Sequence, residues 1–192
     1  TNEHDAVDFL CKNFEKFTPV CNTNAIQGCS QEALINTYDN TILYTDYILA
    51  QTINTLINDA KDYQSALWYV SDHGESTGER GLYLHGTPYI FAPSQQTHIP
   101  MFTWLSPNFA FTHAQATQCL KQKRSAPVSH DNLFHTMLGL LGVTTSVYER
   151  DLDLSWCKGF VAQINFELGF SLTPYLSKNT LSRWRTQMGE TI

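Results

Sequence analysis

Apolar residues recur mostly at three- and four-residue steps between residues 31 and 60, at Ile35, Tyr38, Ile42, Leu49, Ile53 and Leu56. That spacing predicts one long helix with a single apolar face. Ser30 stands before it as an N-cap, with Gln31 and Glu32 in the first turn. The pattern stops near Asn58–Asp62. A short apolar run, SALWYVS (65–71), follows between polar residues and predicts a buried strand. Directly after it comes DHGESTGERG, rich in glycine and charge. A loop at the C-terminal end of a strand is where open α/β sheets place their sites. Leu82–Leu84 and Tyr89–Ala92 are short apolar pieces in a loop-rich stretch, and Ile99–Leu105 predicts a second strand. His113–Lys123 predicts a short helix. Another runs over Asn132–Leu141, capped by Ser129 and stopped by Gly142. Strand, loop, strand and helix in this order are the rhythm of an α/β domain. Past Cys157 the pattern changes: Phe160, Ile164, Phe166, Leu168 and Phe170 tend to alternate. The expected division is therefore 1–157 as one domain portion and 158–192 as an extension without an assigned role.

Composition narrows the class. With 42% hydrophobic and 16% charged residues, the 192-residue chain is globular and long enough to bury a core. A formal net charge of −6 with no run of Lys or Arg argues against a nucleic-acid partner. No apolar stretch is long enough to span a bilayer, and the chain begins at Thr1, which leaves room for targeting or membrane segments upstream. None of the five cysteines forms a C-x-x-C pair, so thiolate zinc clusters and redox motifs have little support. Cys21 and Cys29 bracket a short polar loop. A disulfide there fits and implies an oxidising compartment, with free thiols as the other reading. A Cys119–Cys157 pair is a further possibility, leaving Cys11 over.

Chemistry concentrates in Asp72-His73-Gly74-Glu75. A carboxylate oxygen and an imidazole nitrogen are both zinc ligands, and a turn into Gly74 lets adjacent side chains face one ion. Taken alone, Asp-His is also a common turn with a solvated histidine. His85, in GLYLHGTPY, is placed to hold a phosphate oxygen or protonate a leaving group, or to bond to backbone as a loop histidine. Glu75 has three readings: a group orienting His73, a second-metal ligand, or a solvated carboxylate. Ser129–Asn132 reads as a structural helix start, and Tyr38, Tyr44, Tyr47, Trp68 and Phe102 read as core. G-x-S-x-G, H-E-x-x-H and Walker A motifs are missing from the sequence.

The run VSDHGESTGERGLYLHGTPYIFAPSQQTHIPMFTWLS (70–106) closely resembles the lipid A phosphoethanolamine transferases. These belong to the alkaline phosphatase/sulfatase superfamily and include the mobile colistin-resistance enzymes, which confer polymyxin resistance. FEKFTPVCNTNAIQGCSQEALINTYDNTILYTDYIL (14–49) and SHDNLFHTMLGLLGV (129–143) resemble the same family, in the same order and spacing. The resemblance covers roughly residues 14–157.

The resemblance implies an α/β/α sandwich of the alkaline phosphatase/sulfatase type, represented here by its C-terminal portion. It implies zinc held by Asp72 and His73, a phosphate-binding catalytic role for His85, and a metal or substrate contact for Glu75. It also implies the Cys21–Cys29 disulfide. The implied reaction moves phosphoethanolamine from a phosphatidylethanolamine donor to lipid A through a phosphothreonine intermediate, at the periplasmic face of the bacterial inner membrane. Membrane association would come from segments absent from this chain. The family's nucleophilic threonine and a zinc-binding glutamate fall upstream of the first block, so no threonine here takes that role, and His4 is out of register with a further family histidine. Two other readings remain: a metal-dependent sulfatase- or phosphatase-like hydrolase, and an inactive truncated remnant with apolar surface exposed.

Overall fold

The computed structural model describes residues 13–157, so the division after residue 157 and the alternation beyond it lie outside the described residues. The described chain falls into two compact units, residues 13–56 with 67–104, and residues 57–66 with 105–157.

The first unit is organised along helix α1, Gln31–Asp59, as the periodicity predicts. Ser30 Oγ accepts from the Ala33 N–H at 3.2 Å, satisfying one of the free donors of the first turn. Thr37, Thr45, Thr52 and Thr55 each donate to the carbonyl four residues back, which settles their hydroxyls on the helix itself. Ile35, Tyr38, Ile42, Leu49, Ile53 and Leu56 are half-buried, whereas only Ala33 and Asp39 on this helix are buried. The preceding segment is strapped down by polar side chains. Asn40 accepts from the N–H groups of Lys16 and Phe17 and donates to Phe17 O, and Thr37 Oγ1 accepts from Cys21 N–H. Phe14 packs its ring against Tyr44 and Tyr47, and Cys21 is bonded to Cys29.

Strand β1 (Ala66–Val70) pairs with β4 (Met101–Leu105). Ser71 N–H bonds to Pro100 O at one end and Ser106 N–H to Ser65 O at the other, so the two strands run in opposite directions. Residues 67–70 are half-buried rather than buried, because among the described residues β1 has a partner strand on one edge only. Tyr69 and Phe102 meet across the pair at 5.5 Å between ring centroids. Between these strands lies a short antiparallel hairpin, β2 (Ser76–Thr77) and β3 (Tyr83–Leu84), followed by one helical turn, α2 (Ser94–Thr97). In this loop-rich stretch Tyr89–Phe91 lie exposed on a turn, with Ala92 half-buried.

The second unit carries α3 (Pro107–Thr112), α4 (Ala114–Lys123) and α5 (Asp131–Leu140). Ser106 caps α3, accepting from Phe109 N–H. Helix α5 begins at Asp131, one residue before the reading from the pattern. The N-cap position is His130 rather than Ser129 and makes no side-chain cap bond; Ser129 instead accepts from Asp131 N–H through Oγ and donates its own N–H to Asn132 Oδ1, fixing the turn just ahead of the helix. Gly142 ends the helix at φ +65, with Gly142 N–H to Gly139 O and Val143 N–H to Leu138 O, the paired bonds of a Schellman stop. Residues 145–157 return over α5 through a polar lattice. Asp153 is buried and accepts from Ser155 N–H, Ser155 Oγ and Tyr148 OH, while Lys123 Nζ donates to the carbonyls of Asp153 and Trp156. The Cys119–Cys157 bond closes the same unit.

Candidate active site

The DHGE segment leaves the C-terminal end of β1 and enters β2, and His85 follows β3 directly. In the hairpin register Ser76 faces Leu84 and Thr77 faces Tyr83, so the next pair out is Glu75 with His85. Their side chains meet: His85 Nδ1 lies 2.7 Å from Glu75 Oε1. An ionised carboxylate only accepts, so Nδ1 carries the proton and Nε2 of His85 keeps its lone pair. His73 stacks on His85 with ring centroids 4.0 Å apart. One donor atom from each of His73, Glu75 and His85 lies within 4.8 Å of the others.

His73 is set by its own turn. Ser71 Oγ donates to His73 O at 2.8 Å, and the His73 N–H donates to Asp72 Oδ1 at 3.0 Å. The ring Nδ1 lies 3.1 Å from Gly74 O, a carbonyl that can only accept, so the proton sits on Nδ1 and the Nε2 lone pair is available. That Nε2 is 3.6 Å from Asp72 Oδ2. Two ligands of one tetrahedral zinc stand about 3.3 Å apart, from bond lengths near 2.0 Å. The Asp72–His73 pair therefore presents its donors at a separation close to what a shared ion requires, although Asp72 lies outside the three-residue cluster. Asp72 is exposed and its carboxyl is held below the usual carboxylate range, first by the His73 backbone N–H, then by its own N–H and the nearby His73. Glu75 Oε2 is buried without a hydrogen-bond partner, which leaves one oxygen at the cluster open to a cation or to a donor from a ligand. Donor types, separation and this open oxygen fit a zinc-class ion held by nitrogen and oxygen.

Two features of the support carried no usable signal in the sequence. Gln96 is buried and clamps two segments of the site: its carbonyl accepts from Gly74 N–H and its Nε2 donates to Ser76 Oγ at 2.8 Å on one, and its Oε1 accepts from Thr87 N–H on the other. One side chain thus ties the His73–Glu75 arm to the His85 loop. Leu84, next to His85, adopts φ +61, a conformation that costs a non-glycine residue about 1–3 kcal/mol and recurs at functional sites. Gly74 is required for space: a Cβ there would run into the backbone of Gln95. A cavity of about 150 Å³ beside His73 and Glu75 is lined by Tyr38, Thr41, Thr45, Tyr69 and Ser71, so Tyr38 contributes to the site surroundings as well as to packing. Burial pushes the Tyr69 phenol up, Asp72 adds to that shift, and the Ser71 hydrogen bond opposes it.

The sulfatase profile matches residues 4–143, and the chain belongs to the sulfatase family. Within it, the chain is 52% identical over 142 residues to phosphoethanolamine transferase EptA of Salmonella typhimurium, covering 73% of this chain and 26% of that protein. It is 42% identical over 133 residues to phosphatidylethanolamine transferase Mcr-1 of Escherichia coli, covering 69% of this chain and 23% of Mcr-1. The C-terminal periplasmic domain of phosphoethanolamine transferase EptC from Campylobacter jejuni superposes with a TM-score of 0.68 at 51% identity, over 75% of this chain and 45% of that one. The fold is thus the sulfatase-type α/β fold that the sequence implies. The chain spans about a quarter of the length of the curated relatives it matches. Among the described residues no helix is long and apolar enough to cross a membrane.

Proposed function

We propose that this chain forms part of a zinc-dependent transferase that moves phosphoethanolamine from phosphatidylethanolamine to lipid A at the periplasmic face of the bacterial inner membrane. The observation that carries the proposal is the convergence of His73, Glu75 and His85, with Asp72 beside them, in a chain about half identical to a phosphoethanolamine transferase. Asp72 and His73 are the protein ligands this chain offers to zinc. Bound there, the ion would supply Lewis-acid charge stabilisation for phosphoryl oxygens.

The chain's own residues then divide the work. His85, its Nδ1 proton committed to Glu75, presents Nε2 to a phosphoryl oxygen, where in its protonated form it donates a hydrogen bond as charge builds up. Glu75 fixes the tautomer and orientation of that ring and stabilises the imidazolium. Gln96 and Gly74 hold the two arms in register. Overall, one P–O bond to the donor lipid breaks and one P–O bond to the acceptor forms, with the acceptor's proton passing to the leaving oxygen. The covalent nucleophile belongs to a part of the enzyme outside this chain, and no threonine here is assigned that role.

A segment swap tests the proposal. Residues 14–157 replace the matching segment of Salmonella typhimurium EptA, and lipid A from cells producing the hybrid is analysed by mass spectrometry. The expected result is phosphoethanolamine on lipid A, lost in hybrids carrying His73→Ala or His85→Ala. Undiminished transfer in both variants would refute the assignment. Release of free phosphoethanolamine without lipid A modification would identify a hydrolase instead.

A further inference from the structure

His85 reaches Glu75 through the β2–β3 hairpin, and that hairpin has only two paired rungs, Ser76 with Leu84 and Thr77 with Tyr83. A ladder so short leaves its register to the connection between the strands. A slip of one residue would set Glu75 opposite Leu84 or Gly86 and turn the His85 side chain to the other face. The hairpin is also strained. Arg80, at φ +55, and Leu84, at φ +61, are the only non-glycine residues with positive φ among the described residues, and both lie between Thr77 and His85. Left-handed backbone at two such residues persists where surrounding bonds over-determine it.

Glu79 supplies such bonds at the closed end. Its Oε2 accepts from Thr77 N–H at 2.8 Å, and its Oε1 accepts from the Thr77 hydroxyl at 2.8 Å, so both carboxylate oxygens hold the last residue of β2. Both side chains are half-buried. Gly81 N–H to Gly78 O, at 3.0 Å, and Leu82 N–H to Glu79 O, at 2.9 Å, complete the turn, so Glu79 holds it through main chain and side chain together. At the open end Gln96 takes Ser76 on one arm and Thr87 on the other. We infer that Glu79 is a positioning residue: its carboxylate locks the register in which His85 meets Glu75. It acts on His85 through Thr77 and the turn, and no contact with substrate is assigned to it. Its bonds lie within the hairpin, so they do not depend on what packs against the outer surface. The importance of the Glu75–His85 pairing for transfer rests on the proposed function.

Nitrogen-15 NMR of the imidazole rings in the 192-residue chain tests this without metal or transfer. Its failure leaves the transferase reading standing, and failure of the segment swap leaves the ring result intact. Spectra are recorded in metal-free buffer above the ordinary imidazole range of about 6.5, and the signal lost in His85→Ala assigns the ring. The parent should show His85 as the Nδ1–H tautomer, as its bond to Glu75 requires. Glu79→Ala removes two charge-assisted bonds and should lower the ratio of paired to unpaired hairpin roughly tenfold or more. Its His85 signal should move to the Nε2–H form that a free imidazole favours. Glu79→Gln keeps a carbonyl acceptor and should retain part of the parent signal. Thr77→Val, which loses the hydroxyl bond alone, should shift the signal in the same direction and serves if Glu79→Ala does not fold. Ser30→Ala weakens the α1 cap, outside the hairpin, and should lower the melting temperature with the His85 signal unchanged. Circular dichroism confirms that each variant keeps the parent's fold. A folded Glu79→Ala or Thr77→Val chain with the parent's His85 tautomer would overturn the inference. So would an equal shift in Ser30→Ala, which would make the effect a general loosening.

Discussion

Replacing Gly74 with alanine would drive a methyl group into the backbone of Gln95. The new Cβ would overlap the Gln95 carbonyl oxygen and stand 3.0 Å from its carbon and 3.4 Å from Gln96 Cα. All three are main-chain atoms, so no side chain can swing aside. Relief requires separating residues 74 and 95–96, which breaks the 3.0 Å bond from Gly74 N–H to Gln96 O, worth about 1 kcal/mol. Overpacking against backbone adds about 1–3 kcal/mol, for about 2–4 kcal/mol in all. Urea unfolding should show this as a midpoint lowered by about 1–2 M at an ordinary m-value. Gly28→Ala is the control. It has no atom within 4 Å of its added Cβ and should change stability by no more than about 0.5 kcal/mol. Equal midpoints for the two variants would refute the claim that close approach of the Gln95–Gln96 backbone shapes the site.

Three further outcomes follow from the same structure. The Tyr148 phenol is pushed up to about 12, chiefly by burial and by its hydrogen bond to Asp153. A raised folded-state value means that its contribution to stability is intact below the ordinary tyrosine range near 10 and is lost as pH rises through about 12. Among the nine tyrosines, an ultraviolet titration should therefore show a late-ionising phenol that Tyr148→Phe removes. Burial likewise raises the Asp46 carboxyl, so Asp46→Asn should stabilise the chain slightly at neutral pH. That advantage should shrink as pH falls through the folded-state value, and equal melting temperatures at both pH values would contradict it. Cys119 and Cys157 close a 38-residue separation, for which the chain-entropy account gives about 4 kcal/mol. The Cys119→Ser/Cys157→Ser protein should melt well below the parent, and an unchanged melting temperature would contradict this.

The elements were legible where one physical signal ran long enough. Helix α1 spoke through its apolar period and the Ser30 cap, and the α5 stop spoke through Gly142, whose positive φ a glycine suits. The Asp72–Glu75 segment was legible because a strand-length apolar run ends directly at a glycine-rich turn. The pairing of Glu75 with His85 was not, since it depends on a hairpin of two-residue strands too short to show any alternation. Gln96 left no trace because an amide in a polar stretch looks like surface, and only the fold shows it buried and bonded to both the 74–76 segment and Thr87.

The most direct measurement of the central claim is zinc binding by the 192-residue chain, followed calorimetrically for the parent and for Asp72→Ala, His73→Ala and His85→Ala. The account predicts zinc affinity reduced at least about tenfold by loss of Asp72 or His73, and a smaller reduction on loss of His85. Zinc affinity indifferent to His73→Ala, or abolished by His85→Ala while Asp72→Ala leaves it unchanged, would contradict the assignment of the ion to the Asp72–His73 pair.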